Sequence, residues 1–305
     1  LLAVQGRFVR VNEKNRVVVV GDALIDEMRD PQGSREFPGG AALNVAVGLA
    51  ILGVPTTLIA MVGDDADGRA IREFLASHRV DLLATISPFG SSRAISDRTE
   101  GEPRYIFNEA ARKRRIEFGA AERDALNAAS LVVVSCFPFD DTRQTDEFAA
   151  CVSGPEHRLV IDPNPRAGML ANSELFVRNF ERLAARSLIT KVGDEDAELL
   201  YGATLEALRE RLVSSGANAV LATAGRDGAS IATSGGVRVR VPIAALPGEV
   251  VDTMGAGDAT LASTVQRFLS RGVPGDAAGW RELMESAMVT AAATCRTEGA
   301  LLQEA

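Results

Sequence analysis

Hydrophobic positions fall in two alternating kinds of block. Short, nearly continuous apolar runs occur as "RVVVVG" at 16–21, "TTLIAMVG" at 56–63, "LVVVS" at 131–135, "RLVID" at 158–162, "SLITK" at 187–191 and "AVLAT" at 219–223. Runs of this length, rich in β-branched residues, predict parallel strands covered on both faces. Longer stretches separate them. "AALNVAVGLAILG" predicts a helix stopped at Gly53, and further helices are expected at 67–79, 143–151, 172–184, 194–201, 204–214, 256–270 and about 276–294. "GASIATSGGVRVRVP" predicts a hairpin turning at Gly235–Gly236. Strand–helix alternation of this kind implies an open α/β sandwich.

The rhythm breaks between Ser91 and Phe118. "SSRAISDR" and "PRYIFNE" have strand-like stretches separated by "TEGE", and "AARKRRIEF" lacks a helical period. This stretch predicts a small sheet outside the main layer, joined by part of 29–38 and forming one wall of a cleft. Residues 1–15 are expected to be an irregular extension, with one folded unit over 16–305. The 46% hydrophobic and 24% charged content is that of an ordinary soluble globular chain. A net charge of −8 argues against a general attraction to nucleic acid or anionic membrane. No apolar run reaches membrane length. The three separated cysteines lack metal-site spacing and fit a reducing, cytoplasmic setting.

Ligands of open α/β sheets bind beyond the carboxyl ends of the strands. Candidates there are Asp22 and Asp26, the segment Asp162–Arg166, Lys191–Asp196, Thr223–Gly228, and "VVDTMGAGDAT" at 250–260. In the last of these, Gly255 and Gly257 permit close backbone approach, and the following helix directs free N–H groups at a ligand. Asp258 admits two local interpretations. It is a base for a hydroxyl proton, or it caps the helix. A carboxylate at a helix start is favoured as an anion, which makes it a weak base by pKa alone. Asn44 stands in an apolar helix and needs a partner, either a ligand hydroxyl or a backbone group. "GDDADG" at 63–68 lacks the order of a calcium loop, and neither a P-loop nor a dinucleotide fingerprint is present. His78 and His157 are isolated and read as structural or surface residues, neither a preferred base.

Five segments in order, "FPGGAALNVAVGLAILG", "VGDDADG", "IDPNPR", "TAGRDG" and "VVDTMGAGDAT", together resemble the ribokinase-like, or PfkB, carbohydrate kinases over most of residues 16–299. The resemblance implies a Rossmann-like three-layer α/β/α sandwich with a small β lid. It implies ATP-dependent phosphorylation of an alcohol, usually of a sugar, with Mg2+. Asp258 would be the base, and Gly255, Ala256 and Gly257 the anion hole. Asp22, Asp26, Gly39, Gly40 and Asn44 would lie on the sugar side. Lys191, Thr223, Gly225, Gly228 and Gly257 would lie on the nucleotide side, and Arg166 near the phosphates. Asp196 would serve Mg2+ through water, and Asp252 lies by a loop associated with a monovalent cation such as K+. In the lid, Tyr105 or Phe107 would pack on the sugar ring and Asn108 read a hydroxyl; both aromatics read equally well as lid core. Pairing of two chains through the lid is a further implication.

"GDALIDEM" and "IDPNPR" incline the resemblance toward fructokinases and 2-keto-3-deoxygluconate kinases. The chain departs from the family at Gly193, where Asn or Ser is usual, at Asp196, where Glu is usual, and at Thr260, where Phe is common. These departures leave open another sugar, polyol or nucleoside acceptor, or a sensor that binds without turnover.

Overall fold

The computed structural model describes residues 15–30, 33–97, 104–154, 158–297 and 299–302. The expected extension before residue 15, the turn at 99–102 and His157 lie outside them.

In chain order the strands are β1 (Val17–Gly21), β2 (Leu24–Asp30), β3 (Gly33–Gly39), β4 (Thr56–Gly63), β5 (Asp81–Ser87), β6 (Ser92–Asp97), β7 (Arg104–Phe107), β8 (Leu131–Ser135), β9 (Leu159–Asp162), β10 (Ile189–Gly193), β11 (Ala219–Thr223), β12 (Ala229–Thr233) and β13 (Arg238–Val241). The helices are α1 (Ala41–Ile51), α2 (Ala66–Ser77), α3 (Glu109–Arg112), α4 (Ala120–Ala128), α5 (Thr142–Cys151), α6 (Ser173–Ala184), α7 (Asp194–Tyr201), α8 (Leu205–Ser214), α9 (Ala256–Arg271) and α10 (Ala277–Thr294).

Nine strands form the main sheet in the order β13-β12-β11-β10-β9-β8-β1-β4-β5. It is parallel from β11 to β5, and the β12–β13 hairpin closes it antiparallel at the other edge. β1 shows why an unbroken apolar run is needed. Val17 and Val19 enter one hydrophobic cluster, with α1, α2, α9 and α10. Val18 and Val20 enter the other, with α4 to α8. Two apolar faces on one sheet give the three-layer sandwich.

The second sheet has the order β3-β2-β6-β7, with β2 parallel to β6 and the outer pairs antiparallel. It begins at Leu24, ahead of the expected 29–38, because "LIDEMRD" pairs as a strand along its whole length. Its register sets Phe37, Asp26, Ala94 and Phe107 side by side. Residues two apart share a face, so Leu24 and Tyr105 face the same way. Leu24, Ala94 and Phe107 pack with Ala41, Ala111, Cys136 and Met169. That face covers the carboxyl-end rim of the main sheet.

Candidate active site

Two helix starts meet at this rim. Gly40, at φ +106°, precedes α1, and Gly255, at φ +75°, precedes α9. The Gly255 turn has no room for a side chain, since a Cβ there would lie 2.0 Å from the Ala300 carbonyl oxygen. No side chain caps α9, so its first-turn N–H groups have no internal side-chain acceptor. A Cβ on Gly257 would come 3.1 Å from the Lys191 ammonium. The bare second residue of the helix thus lies against a buried cation. This cradle fits phosphate oxygens through backbone N–H groups and Lys191.

Asp258 does not cap α9. Its Oδ2 accepts a 2.9 Å hydrogen bond from Nδ2 of Asn44 in the first turn of α1. Asn44 thereby finds the partner its buried position requires, and that partner is a carboxylate, neither a backbone group nor a ligand. The Asn44 Oδ1 is buried without a partner, which leaves an acceptor for a ligand hydroxyl. Burial raises the pKa of Asp258 to about 7, against the opposing pull of Lys191, the Asn44 hydrogen bond and Arg166. Burial thus acts on Asp258 in the direction opposite to the helix-start effect.

Asp22 and Asp26 lie beside the Gly39–Gly40 turn. The Oδ1 of Asp22 accepts from the Ala42 N–H at 2.9 Å. Burial raises its pKa, and the Ala42 hydrogen bond and the Arg114 and Arg166 charges oppose the rise. Burial, and then the neighbouring Asp22 charge, raise Asp26 to about 7. Gly39 leaves the space Asp26 occupies, since a Cβ there would be 2.1 Å from Asp26 Oδ2. Arg166 forms a 3.1 Å ion pair with Glu195, and its charge acts on Asp22, Asp26, Asp196 and Asp258. It thus electrostatically links residues from β2, α7 and α9.

On the other flank, Lys191 Nζ donates to Asp162 Oδ2 at 2.8 Å, with both groups buried. Burial works against the ammonium, but Asp162, Asp196 and Asp258 hold its pKa above the ordinary value. Asp162 opens the strand-end segment Asp162–Arg166, and the motif assigns it no role of its own. Parallel pairing of β9 and β10 aligns Thr190 with Ile161, and one step further Lys191 reaches Asp162. An Asp and a Lys ending neighbouring apolar strands are the signal that was available. The remaining Asp162 oxygen, Oδ1, is buried without a partner. Asp196 accepts from the Gly193 N–H at 2.7 Å, and burial raises its pKa to about 7. No group of three His, Cys, Asp or Glu side chains is arranged to hold a metal among the described residues.

Thr223 ends β11, with its hydroxyl 3.4 Å from the Val192 carbonyl. Gly225 opens a single 3-10 turn, and Gly228 closes it at φ +83°, where a Cβ would lie 2.2 Å from the Val241 carbonyl oxygen. Asp252 organises its own loop, accepting from Met254 N at 3.0 Å and Gly299 N at 3.4 Å. Phe107 is 6% exposed and packs as the base of the small sheet, whereas Tyr105 is 58% exposed. The Asn108 side chain is committed to backbone. Its Oδ1 accepts from Arg93 N and Ala111 N, and its Nδ2 donates to Ser91 O.

The chain and its fold are similar to known proteins. A fructokinase of Rhizobium leguminosarum bv. trifolii is 31% identical over 258 residues, which is 79% of this chain and 76% of that one. The solved aminoimidazole riboside kinase of Salmonella enterica, complexed with aminoimidazole riboside and an ATP analog, superposes with a TM-score of 0.77 at 25% identity, covering 94% and 95% of the two chains. The fructokinase of Vibrio cholerae O395, in a form bound to fructose, ADP and calcium ion, gives a TM-score of 0.79 at 22% identity, over 95% and 96%. Residues 14–304 match the pfkB family carbohydrate kinases, so that the cradle ahead of α9, its aspartate and the small sheet above them belong to a chain of that family.

Proposed function

We propose that this protein transfers the terminal phosphoryl group of ATP to a hydroxyl of a free sugar, with fructose as the first acceptor to test. One observation carries the reading. Asp258 is buried at the start of α9 with a pKa of about 7, held by Asn44 and facing the side of the fold where Lys191 and the glycine turn form an anion cradle. The 31% identity to a fructokinase over 79% of this chain supports the choice of acceptor.

In this mechanism Asp258 accepts the proton of the acceptor hydroxyl as its oxygen attacks the terminal phosphorus. The bond from phosphorus to the bridging oxygen breaks, and ADP leaves with the electron pair. N–H groups of Ala256 and Gly257 and the Lys191 ammonium offset the charge on the moving phosphoryl group. Asp22, Asp26 and the free Asn44 Oδ1 orient the sugar hydroxyls. Thr223, Gly225 and Gly228 border the nucleotide side, and Arg166 stands between the two halves. Magnesium carried by the nucleotide would supply further charge neutralisation, and Asp196 and the unpartnered Asp162 oxygen are the acceptors that would hold it, through water. A potassium ion beside Asp252 would act only on loop order.

The test is ATP-dependent phosphorylation across sugars, sugar acids, polyols and nucleosides, with product formation read directly. Fructose turnover exceeding that of 2-keto-3-deoxygluconate and of nucleosides is expected. Calorimetric binding of a sugar with no turnover on any acceptor would overturn the catalytic reading.

A further inference from the structure

We propose that Arg93 is a positioning residue that latches the small sheet to the body of the molecule and so sets the pose of Asp26 over the acceptor side. This rests on the kinase reading only in taking the acceptor to bind beneath that sheet.

The outer face of the small sheet presents an electrostatic problem. Glu27 on β2 and Glu36 on β3 are directly opposite in the antiparallel register. Like charges so placed repel. Arg93 on β6 resolves this, donating to Glu36 Oε1 at 2.8 Å and to Glu27 Oε2 at 3.3 Å through one nitrogen. The rest of the guanidinium turns to Asp67 in the first turn of α2, with Nε–Oδ2 at 2.5 Å and Nη2–Oδ1 at 2.7 Å. α2 belongs to the body, since its Ile71 and Leu75 lie in the main core. One planar group with five donors thus ties two lid strands to a body helix by a two-pronged ion pair. A lysine cannot reproduce that fork.

A second pin lies two residues away. Asp65 Oδ2 accepts from Ser91 N at 2.7 Å and its Oδ1 from Ser91 Oγ at 2.6 Å, at the point where the chain crosses from body to lid. The "GDDADG" segment, which fits no calcium loop, therefore acts twice as an anchor. Asp65 fixes the crossing and Asp67 fixes the sheet above it. The consequence reaches the site through β2. Glu27 is held on the outer face, and its neighbour Asp26 projects from the inner one, against Gly39 and Gly40. Losing Arg93 leaves Glu27, Glu36 and Asp67 facing one another, with Arg29 and the Ser34 hydroxyl still bound to Glu27.

The experiment compares Arg93→Ala, Arg93→Lys, Asp67→Asn and the double variant R93A/D67N in full-length protein. D67N separates the latch from lid cohesion, because it leaves the contacts of Arg93 to Glu27 and Glu36 in place. Expected is a rise of about three- to tenfold in acceptor KM for R93A and D67N, a smaller change in kcat, and an unchanged KM for ATP. The double variant should be no worse than R93A alone, and R93K should recover only part. Independently of activity, hydrogen exchange should quicken in residues 24–30, 33–39 and 92–97 and not in β1 or α9. Wild-type lid exchange in D67N would overturn the latch, as would a uniform rise across the body in R93A. Absence of turnover by the wild type on every acceptor would instead sink the kinase reading, and the exchange pattern would still decide the latch.

Discussion

Burial of Asp258 destabilises the fold at neutral pH, and in the proposed reaction the same burial would make the carboxylate a usable base. Its folded pKa of about 7 lies above the ordinary value of 3.8. Between those values the folded chain keeps a proton that the unfolded chain has lost, so stability falls as pH rises from 3.8 to about 7. The penalty is complete above the folded pKa. Asp258→Asn removes it, so the variant should melt about 2–4 °C above wild type at alkaline pH and level with it near pH 4. Thermal melts across pH for both proteins test this. Catalysis runs the other way, since only the ionised base accepts a proton. In the wild type kcat/KM should climb with pH through about 7. D258N should lose about a thousandfold in kcat while retaining nucleotide binding. A flat pH profile, or near-normal turnover in D258N, would remove Asp258 from the role of base. Asp258 was legible as a candidate from its motif. That it does not cap α9 was not, because the partner it takes instead, Asn44, lies 214 residues away.

At the scale of elements, the start of α9 depends on one backbone conformation. Gly255→Ala places a side chain at φ +75° and drives it into the Ala300 carbonyl. A loss of about 2 kcal/mol or more is expected, measured by urea unfolding. Gly193 is the contrasting case. It has extended geometry at φ −121°, and a Cβ would find its nearest neighbour at 3.7 Å. Gly193→Ser should therefore change stability by no more than about 0.5 kcal/mol, so any change in its kinetics reports on the hydroxyl alone. β1, β4, β8 and β11 were legible because both faces are buried and the apolar run is continuous. β5 received no assignment. It carries an apolar run, "LLATI", but lies half-exposed at the edge of the sheet. α4 buries only Leu126, which leaves little helical period to read. β2 follows the first strand so closely that its separate sheet appears only once β6, paired parallel beside it, is in place.

At the scale of the molecule, the small sheet leaves apolar surface open. Phe37 is 41% and Tyr105 58% exposed on its inner face. The proposed pairing of two chains through this sheet predicts a dimer in light scattering, converted to monomer by Tyr105→Glu. A wild-type monomer at high concentration would refute it. No helix among the described residues is long and apolar enough to cross a membrane. The sequence by itself determined the three layers, since runs buried on both faces demand helices above and below. It determined the glycine turn ahead of α9 too, since a glycine turn before a helix is a local backbone property. The tertiary structure decided which carboxylates are isolated from water, and so which have pKa values near 7. It also joined Asn44 to Asp258, Lys191 to Asp162 and Arg93 to Asp67. Burial and ion pairing depend on distances across the fold, and these follow from strand order and register rather than from any one segment of the chain.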